Sequence, residues 1–212
     1  MTTIEDAEKG PRKQADRVRD MQDRLIAATV VCLDRYGYSG TSISAIQDAA
    51  GVSRGAILHH YPSRQDLIAA TASRLLDAAL RPTREGRPGR GDGAKSLEEL
   101  LLFYWRQVMN VPEGRAFIEI VVACRTDEAL ESALADLFTT WDAKVAESAR
   151  LRFAAFTGDA DDAALLWSIA RTFLRGLIIH ARFVEDPAHL ENMVRRFGAM
   201  LSAQLSLKTA AH

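Results

Sequence analysis

Cysteine is nearly absent. The chain has two, Cys32 and Cys124, far apart and without C-x-x-C spacing, which argues against a disulfide framework or a zinc finger. Both read as small buried apolar residues, because a reactive thiol needs an exposed, cationic setting. Proline is scarce, at 6 in 212 residues, and no long apolar run stands out, so a soluble chain is expected. The first twenty residues lack the apolar core of a secretion signal, and a cytoplasmic location with no membrane partner follows as the expectation. Net charge is only −1, which alone suggests no nucleic-acid partner. No G-K-[ST] follows Gly89, Gly91 and Gly93, so they make no phosphate loop. His180, Glu185, Asp186 and His189 lie close together but lack the i,i+3 or i,i+4 histidine pair that a zinc site favours. No Ser/His/Asp or Cys/His set is recognisable. The expectation is therefore no enzyme, no catalytic residue, no metal and no cofactor.

What is present is a helix-turn-helix pattern in residues 41 to 64, TSISAIQDAAGVSRGAILHHYPSR. Thr41 or Ser42 can cap a helix on which Ile43, Ile46 and Ala50 recur on one face. Ser44 with Gln47 offers a competing capping box. Gly51 suits a sharp turn with positive φ, and Ser53 can cap the next helix. That helix, Arg54 to His60, keeps Ile57 for the core and offers Arg54, Gly55, Ala56, His59 and His60 to the outside. Arginine can bond guanine O6 and N7 bidentately, while Gly55 and Ala56 permit close approach to the groove. Pro62 ends the helix, Ser63 with Asp66 starts another, and Arg64 in its first turn suits a phosphate. A glycine corner of this kind also occurs in helical proteins that bind nothing.

The words LIAATVVCLDRYGYSGTSI and AAGVSRGAILHHYPSRQDLI extend the match over about Arg24 to Leu75, and this stretch resembles the DNA-binding domain of the TetR family of bacterial transcriptional repressors. The resemblance implies that Arg54, Gly55, Ala56 and His59 read bases. It places His60, Arg64 and the segment from Thr41 through Ser42 to Ser44 on the DNA backbone. One departure is Leu58, where the family often has a tyrosine on phosphate.

Residues 1 to 95 hold 15 Lys and Arg against 12 Asp and Glu, a net of +3, while the remainder nets −4. The asymmetry favours DNA at the N-terminal end. Residues 1–20, with Lys9, Arg12, Lys13, Arg17 and Arg19, read as a basic flexible arm. A helix-turn-helix domain with a connecting fourth helix is expected over 21–80, with Gly37 ending the first helix. A Gly/Pro-rich flexible linker is expected over 81–95, and a helical effector-binding and dimerisation domain over 96–212. The fold class is all-α, with about nine helices.

In the second domain Phe103, Trp105, Phe117, Phe138, Trp141 and Trp167 supply apolar surface for a small-molecule site, with Arg171, Arg106, Glu119 and Arg125 as polar anchors. The plain alternative is that these aromatics fill the core. AALLWSIARTFLRGLIIHARF is apolar on nearly every side and needs covering all round. A partner subunit could cover it with Phe173, Leu174, Leu177 and Ile178, together with Met193, Phe197 and Leu201 of a ninth helix that carries an apolar stripe to Leu205. The expected function is a TetR-type repressor that binds a palindromic operator as a homodimer and is released by a small apolar or aromatic effector. The alternatives are a DNA-binding protein without an effector, or a helical-bundle enzyme or metal-binding protein with an incidental helix-turn-helix.

Overall fold

The structure, a computed structural model, describes residues 4–84 and 96–208. Among these it has nine α-helices: α1 (Ile4–Gly40), α2 (Ile43–Ala50), α3 (Arg54–His60), α4 (Arg64–Arg84), α5 (Leu97–Tyr104), α6 (Pro112–Ala123), α7 (Glu128–Arg152), α8 (Ala160–His180) and α9 (Pro187–Leu201). The segment expected as a flexible arm is helical from Ile4, because Glu, Lys, Arg, Gln and Ala there are strong helix formers whatever their polarity. α4 continues past 80 to Arg84, and the rest of the expected linker, 85–95, lies outside the described residues.

Caps written in the sequence fix most helix starts. Ser42 accepts the Ala45 N–H, Ser53 that of Ala56, and Ser96 that of Glu99. Ser63 and Asp66 form a reciprocal capping box at α4, Ser63 N–H to the carboxylate at 3.0 Å and Asp66 N–H to the hydroxyl at 3.1 Å. Asp127, Asp159 and Asp186 cap α7, α8 and α9. Gly37 breaks the helical path of α1 with φ +69°, as its position suggested, and Gly51 takes the left-handed conformation between α2 and α3 with φ +62°.

Three apolar clusters stack along the molecule. Leu25, Cys32, Ile46, Ala50, Ile57 and Leu67 hold the first three helices and the start of α4 together. A middle cluster joins Val30 and Leu33 of α1 and Ile68, Ala72 and Leu75 of α4 to Ile120, Leu130 and Leu134. The third fills the remainder around Leu101, Trp105, Phe153, Trp167 and Leu174. The segments expected as separate domains therefore share a core, in which α1 and α4 pack against α6 and α7. Bidentate Arg115 to Asp34 at 2.6 and 3.0 Å reinforces the junction, as does the Tyr38 hydroxyl on Asp127.

The chain from residue 96 on is not purely helical. Phe153–Ala155 (β1) pairs antiparallel with Leu205–Leu207 (β2), Phe153 opposite Leu207. Leu205, expected on the α9 stripe, is instead buried in β2, because α9 stops at Leu201 and a turn reverses the chain. Trp105–Met109 is one turn of π-helix after α5. α8 with the turn after it, Ala160–Phe183, is long and apolar enough by length and composition to cross a membrane. It is the helix read above as apolar on nearly every side, and Arg171 and Arg175 interrupt its apolar run.

Candidate DNA interface and ligand cavity

The corner between α2 and α3 faces outward. α3 is seven residues long, begins on the Ser53 cap and buries Ile57 completely. Its opposite side exposes Arg54, Gly55 and His59, with Ala56 and His60 half-buried and Leu58 39% exposed. Arg54 has no ion pair or hydrogen bond among the described residues, so its fork is available to a base edge. Arg24 donates to the Gly51 carbonyl at 3.4 Å and steadies the turn. Ser42, Ser44 and Ser53 are exposed. The capping oxygens of Ser42 and Ser53 accept backbone N–H groups, which leaves each hydroxyl hydrogen for a phosphate.

Two residues expected on the DNA backbone are used inside the protein. Thr41 is fully buried and donates from its hydroxyl to the Gly37 carbonyl at 2.7 Å. Arg64 donates from Nε to the Thr41 carbonyl at 2.6 Å and from Nη2 to the Tyr38 carbonyl, with its guanidinium 4.0 Å from the Tyr38 ring centre. The kink at Gly37 turns these two carbonyls toward α4. Arg64 satisfies them and binds the entry of α2 to the first turn of α4. Sequence spacing could not disclose this, because it depends on how α1 bends back over α4.

A cavity of about 420 Å³ lies between α4, α6, α7 and α8. Of the residues read as apolar surface or anchors for a small-molecule site, Phe117, Trp141, Trp167 and Arg171 line it. Phe103, Trp105 and Phe138 do not. Trp105 is 2% exposed in the core, Phe103 packs edge-on to Tyr104, and Phe138 stands behind Phe117 with ring centres 6.0 Å apart. Of the other expected anchors, Arg106 is held by Glu191, Glu119 accepts the Tyr38 N–H, and Arg125 is exposed at the surface. The lining residues that the sequence reading missed include Leu75 and Leu76 of α4, Val108 and Met109 of the π-turn, Phe153 and Arg175. One signal pointed to Arg175: with Arg171 it puts two guanidinium groups, one turn apart, on a single side of an otherwise apolar helix. Gly114 also lines the cavity, and a Cβ there would collide with the Met109 and Val108 carbonyls, so the π-turn and α6 approach only because this residue is glycine.

The cavity is cationic. Arg171 lies over Trp141 at 4.4 Å and reaches Asp142 at 3.1 Å, and burial pulls its guanidinium below the usual value. Burial and the neighbouring Arg171 charge lower Arg175 to about 10. Trp141 donates its indole N–H to the Leu76 carbonyl at 3.2 Å, which ties α7 to the α4 wall.

The outer side of α8 and α9 carries a third feature. Phe173 and Phe197 stack with ring centres 4.2 Å apart, and with Ile169, Gly176 and Met193 they line a shallow groove. Ile169 in that lining is 48% exposed, and Ile179, Phe183 and Met200 of the same stretch of chain from α8 to α9 are 54%, 82% and 61% exposed. Leu174, Ile178 and Leu201, expected at a subunit contact, are instead buried in this chain's own core, and Leu177 forms only the groove floor at 3% exposure. A helix apolar on all sides does not reveal which stripe its own fold will cover.

Residues 25–71 match the family described as bacterial regulatory proteins, TetR family. The chain is 28% identical to the HTH-type transcriptional regulator CymR of Pseudomonas putida over 190 residues, covering 86% of this chain and 89% of that one. The fold is similar to that of a putative transcriptional regulator from Saccharomonospora viridis in complex with choline, with TM-score 0.62 and 17% identity over 90% of this chain and 100% of that one. It is also similar to a transcriptional regulator from Rhodococcus sp. Rha1, with TM-score 0.61 and 22% identity over 85% and 95% of the two chains.

Proposed function

We propose that this chain is a DNA-binding transcriptional regulator of the TetR type, to which the family match over residues 25–71 and the likeness to CymR point, and that it is a cytoplasmic repressor that grips a palindromic operator as a homodimer and releases it when a small apolar or aromatic molecule fills the cavity. One observation carries the reading: a single helix joins the two sites. α4 holds the carbonyls of the DNA-facing corner through Arg64 in its first turn, and its Leu75, Leu76, Ala78 and Ala79 form a wall of the cavity. The separation along the helix is about 18 Å at 1.5 Å per residue. A ligand that fits one position of α4 better than another would shift the corner by its differential affinity for the two arrangements. The choline bound by the Saccharomonospora viridis protein supports small-molecule occupancy of such a fold.

Arg54, Gly55, Ala56 and His59 are the proposed base-reading residues, and Ser42, Ser44, Ser53 and His60 the backbone-contacting ones. The proposed dimer surface is the exposed α8–α9 face with Phe173, Met193 and Phe197, extended by Ile169 and Met200. A four-helix contact across a two-fold axis would set two α3 helices on half-sites about one helical turn apart, roughly 34 Å. Selection of bound duplexes from a random pool tests this directly. An inverted repeat is expected, and recovery of single half-sites or unrelated sequences would overturn the dimeric-operator reading.

A further inference from the structure

The cavity lining has three arginines, Arg152, Arg171 and Arg175, and a single acid, Glu113, which is exposed in the first turn of α6. The two on α8 differ in what they touch. Arg171 has Asp142, an outward-facing carboxylate, and stacks on Trp141. Arg175 has neither an ion pair nor a hydrogen bond among the described residues. Its guanidinium sits 5.8 Å from the ring centres of both Phe117 and Trp141, where the ring faces attract a cation weakly but accept none of its five N–H donors in a fork. A cation beside another cation in an apolar wall is held at a cost unless an anion meets it there. Among the described residues no carboxylate is hydrogen-bonded to Arg175, the nearby Asp142 being paired with Arg171, and the open volume of about 420 Å³ lies directly against this group.

We propose that the effector is an amphipathic organic anion whose carboxylate is held by Arg175 and whose aromatic or alkyl body lies against Phe117, Trp141 and Trp167. The assignment rests on the cavity being the effector site. Guanidinium and carboxylate match in planar, two-bond geometry, which rewards a carboxylic acid over an alcohol or amide of the same shape. The aromatic walls give the body of the ligand apolar burial, so a small inorganic anion alone would lack most of the binding free energy.

The test uses the full chain and a matched series of 4-phenylbutyrate, 4-phenylbutanamide and 4-phenylbutylamine, with octanoate and octanol as an alkyl pair and inorganic phosphate as a bodiless anion. Trp141 and Trp167 line the cavity, so tryptophan fluorescence reports occupancy, with calorimetric titration for the constants. The wild type is expected to bind the acids about tenfold to a hundredfold more tightly than the amide or alcohol, the range that a charge-assisted hydrogen bond supplies. Arg175→Met should erase that preference while still binding the amide as the wild type does, which shows that the cavity is intact. Arg175→Lys should restore part of it. Equal binding of acid and amide, a preference for the amine, phosphate binding as well as the acids, or an acid preference that survives Arg175→Met would overturn the anion assignment and leave the cavity as a site for another chemistry. No binding of any member at millimolar concentration would overturn the cavity as effector site, and the anion assignment with it.

Discussion

Arg64→Ala distinguishes two roles for one arginine. A phosphate contact and an internal clamp both weaken operator binding, but they leave different marks on stability and on salt dependence. In the structure the guanidinium gives one hydrogen bond to the Thr41 carbonyl and one to the Tyr38 carbonyl, and it lies over the Tyr38 ring. Charge-assisted bonds contribute about 1.5–3 kcal/mol when shielded and less when half-exposed, as here, and the ring contact adds about 0.5–1 kcal/mol. Removing all three should cost about 3 kcal/mol of folding stability, a large share of the total for a domain of this kind. Denaturant unfolding of wild type and variant measures this as a fall in midpoint, and operator titration between 50 and 200 mM salt measures the other mark. A lost phosphate contact lowers the slope of log K against log salt by about one per site, whereas a lost clamp leaves the slope unchanged and weakens binding through a loosened α2–α3 corner. Unchanged unfolding together with a shallower slope would refute the clamp and return Arg64 to the DNA backbone.

Arg54→Ala should cost about 1–3 kcal/mol on the selected operator and relax discrimination at one base pair per half-site; uniform weakening on all sequences would make Arg54 a phosphate contact instead. Ile169→Glu, on the exposed side of α8, should convert the protein to monomers in sedimentation and abolish tight operator binding, and a persistent dimer would move the subunit contact elsewhere. The Asp127 carboxyl is held below the usual carboxylate range, first by the Tyr38 hydroxyl and then by the Leu130 N–H. A depressed value in the folded protein stabilises it above the ordinary aspartate range, near 3.9, and this contribution is lost as pH falls through the folded value. Asp127→Asn should therefore flatten the acid limb of a stability-against-pH curve, and an unaltered limb would show that this contact does not contribute.

The local chemistry of the chain was enough to locate the corner. Ser53, Gly51 and the Ser63–Asp66 pair act within a few residues of one another, so their types and spacing dictate the caps and the positive-φ turn wherever the rest of the chain goes. The aspartate caps of α7 to α9 are legible for the same reason. Side chains whose partners are far away in sequence were not legible. Thr41 and Arg64 look like surface groups until α1 bends at Gly37 and presents its carbonyls to α4, 26 residues on from Tyr38. Trp105 and Phe138 look as suitable for a ligand as Phe117 and Trp141, because aromatic content says nothing about which rings face a void and which face other rings. The exposed stripe of α8 and the lack of an ion-pair partner for Arg175 among the described residues were likewise decided by tertiary packing. Sequence alone determined that a short helix is held out behind a glycine corner, because capping and turn geometry are short-range. Which residues are free to meet DNA, a ligand or a second subunit was settled only when the helices stacked, because being free depends on which neighbours have already been satisfied.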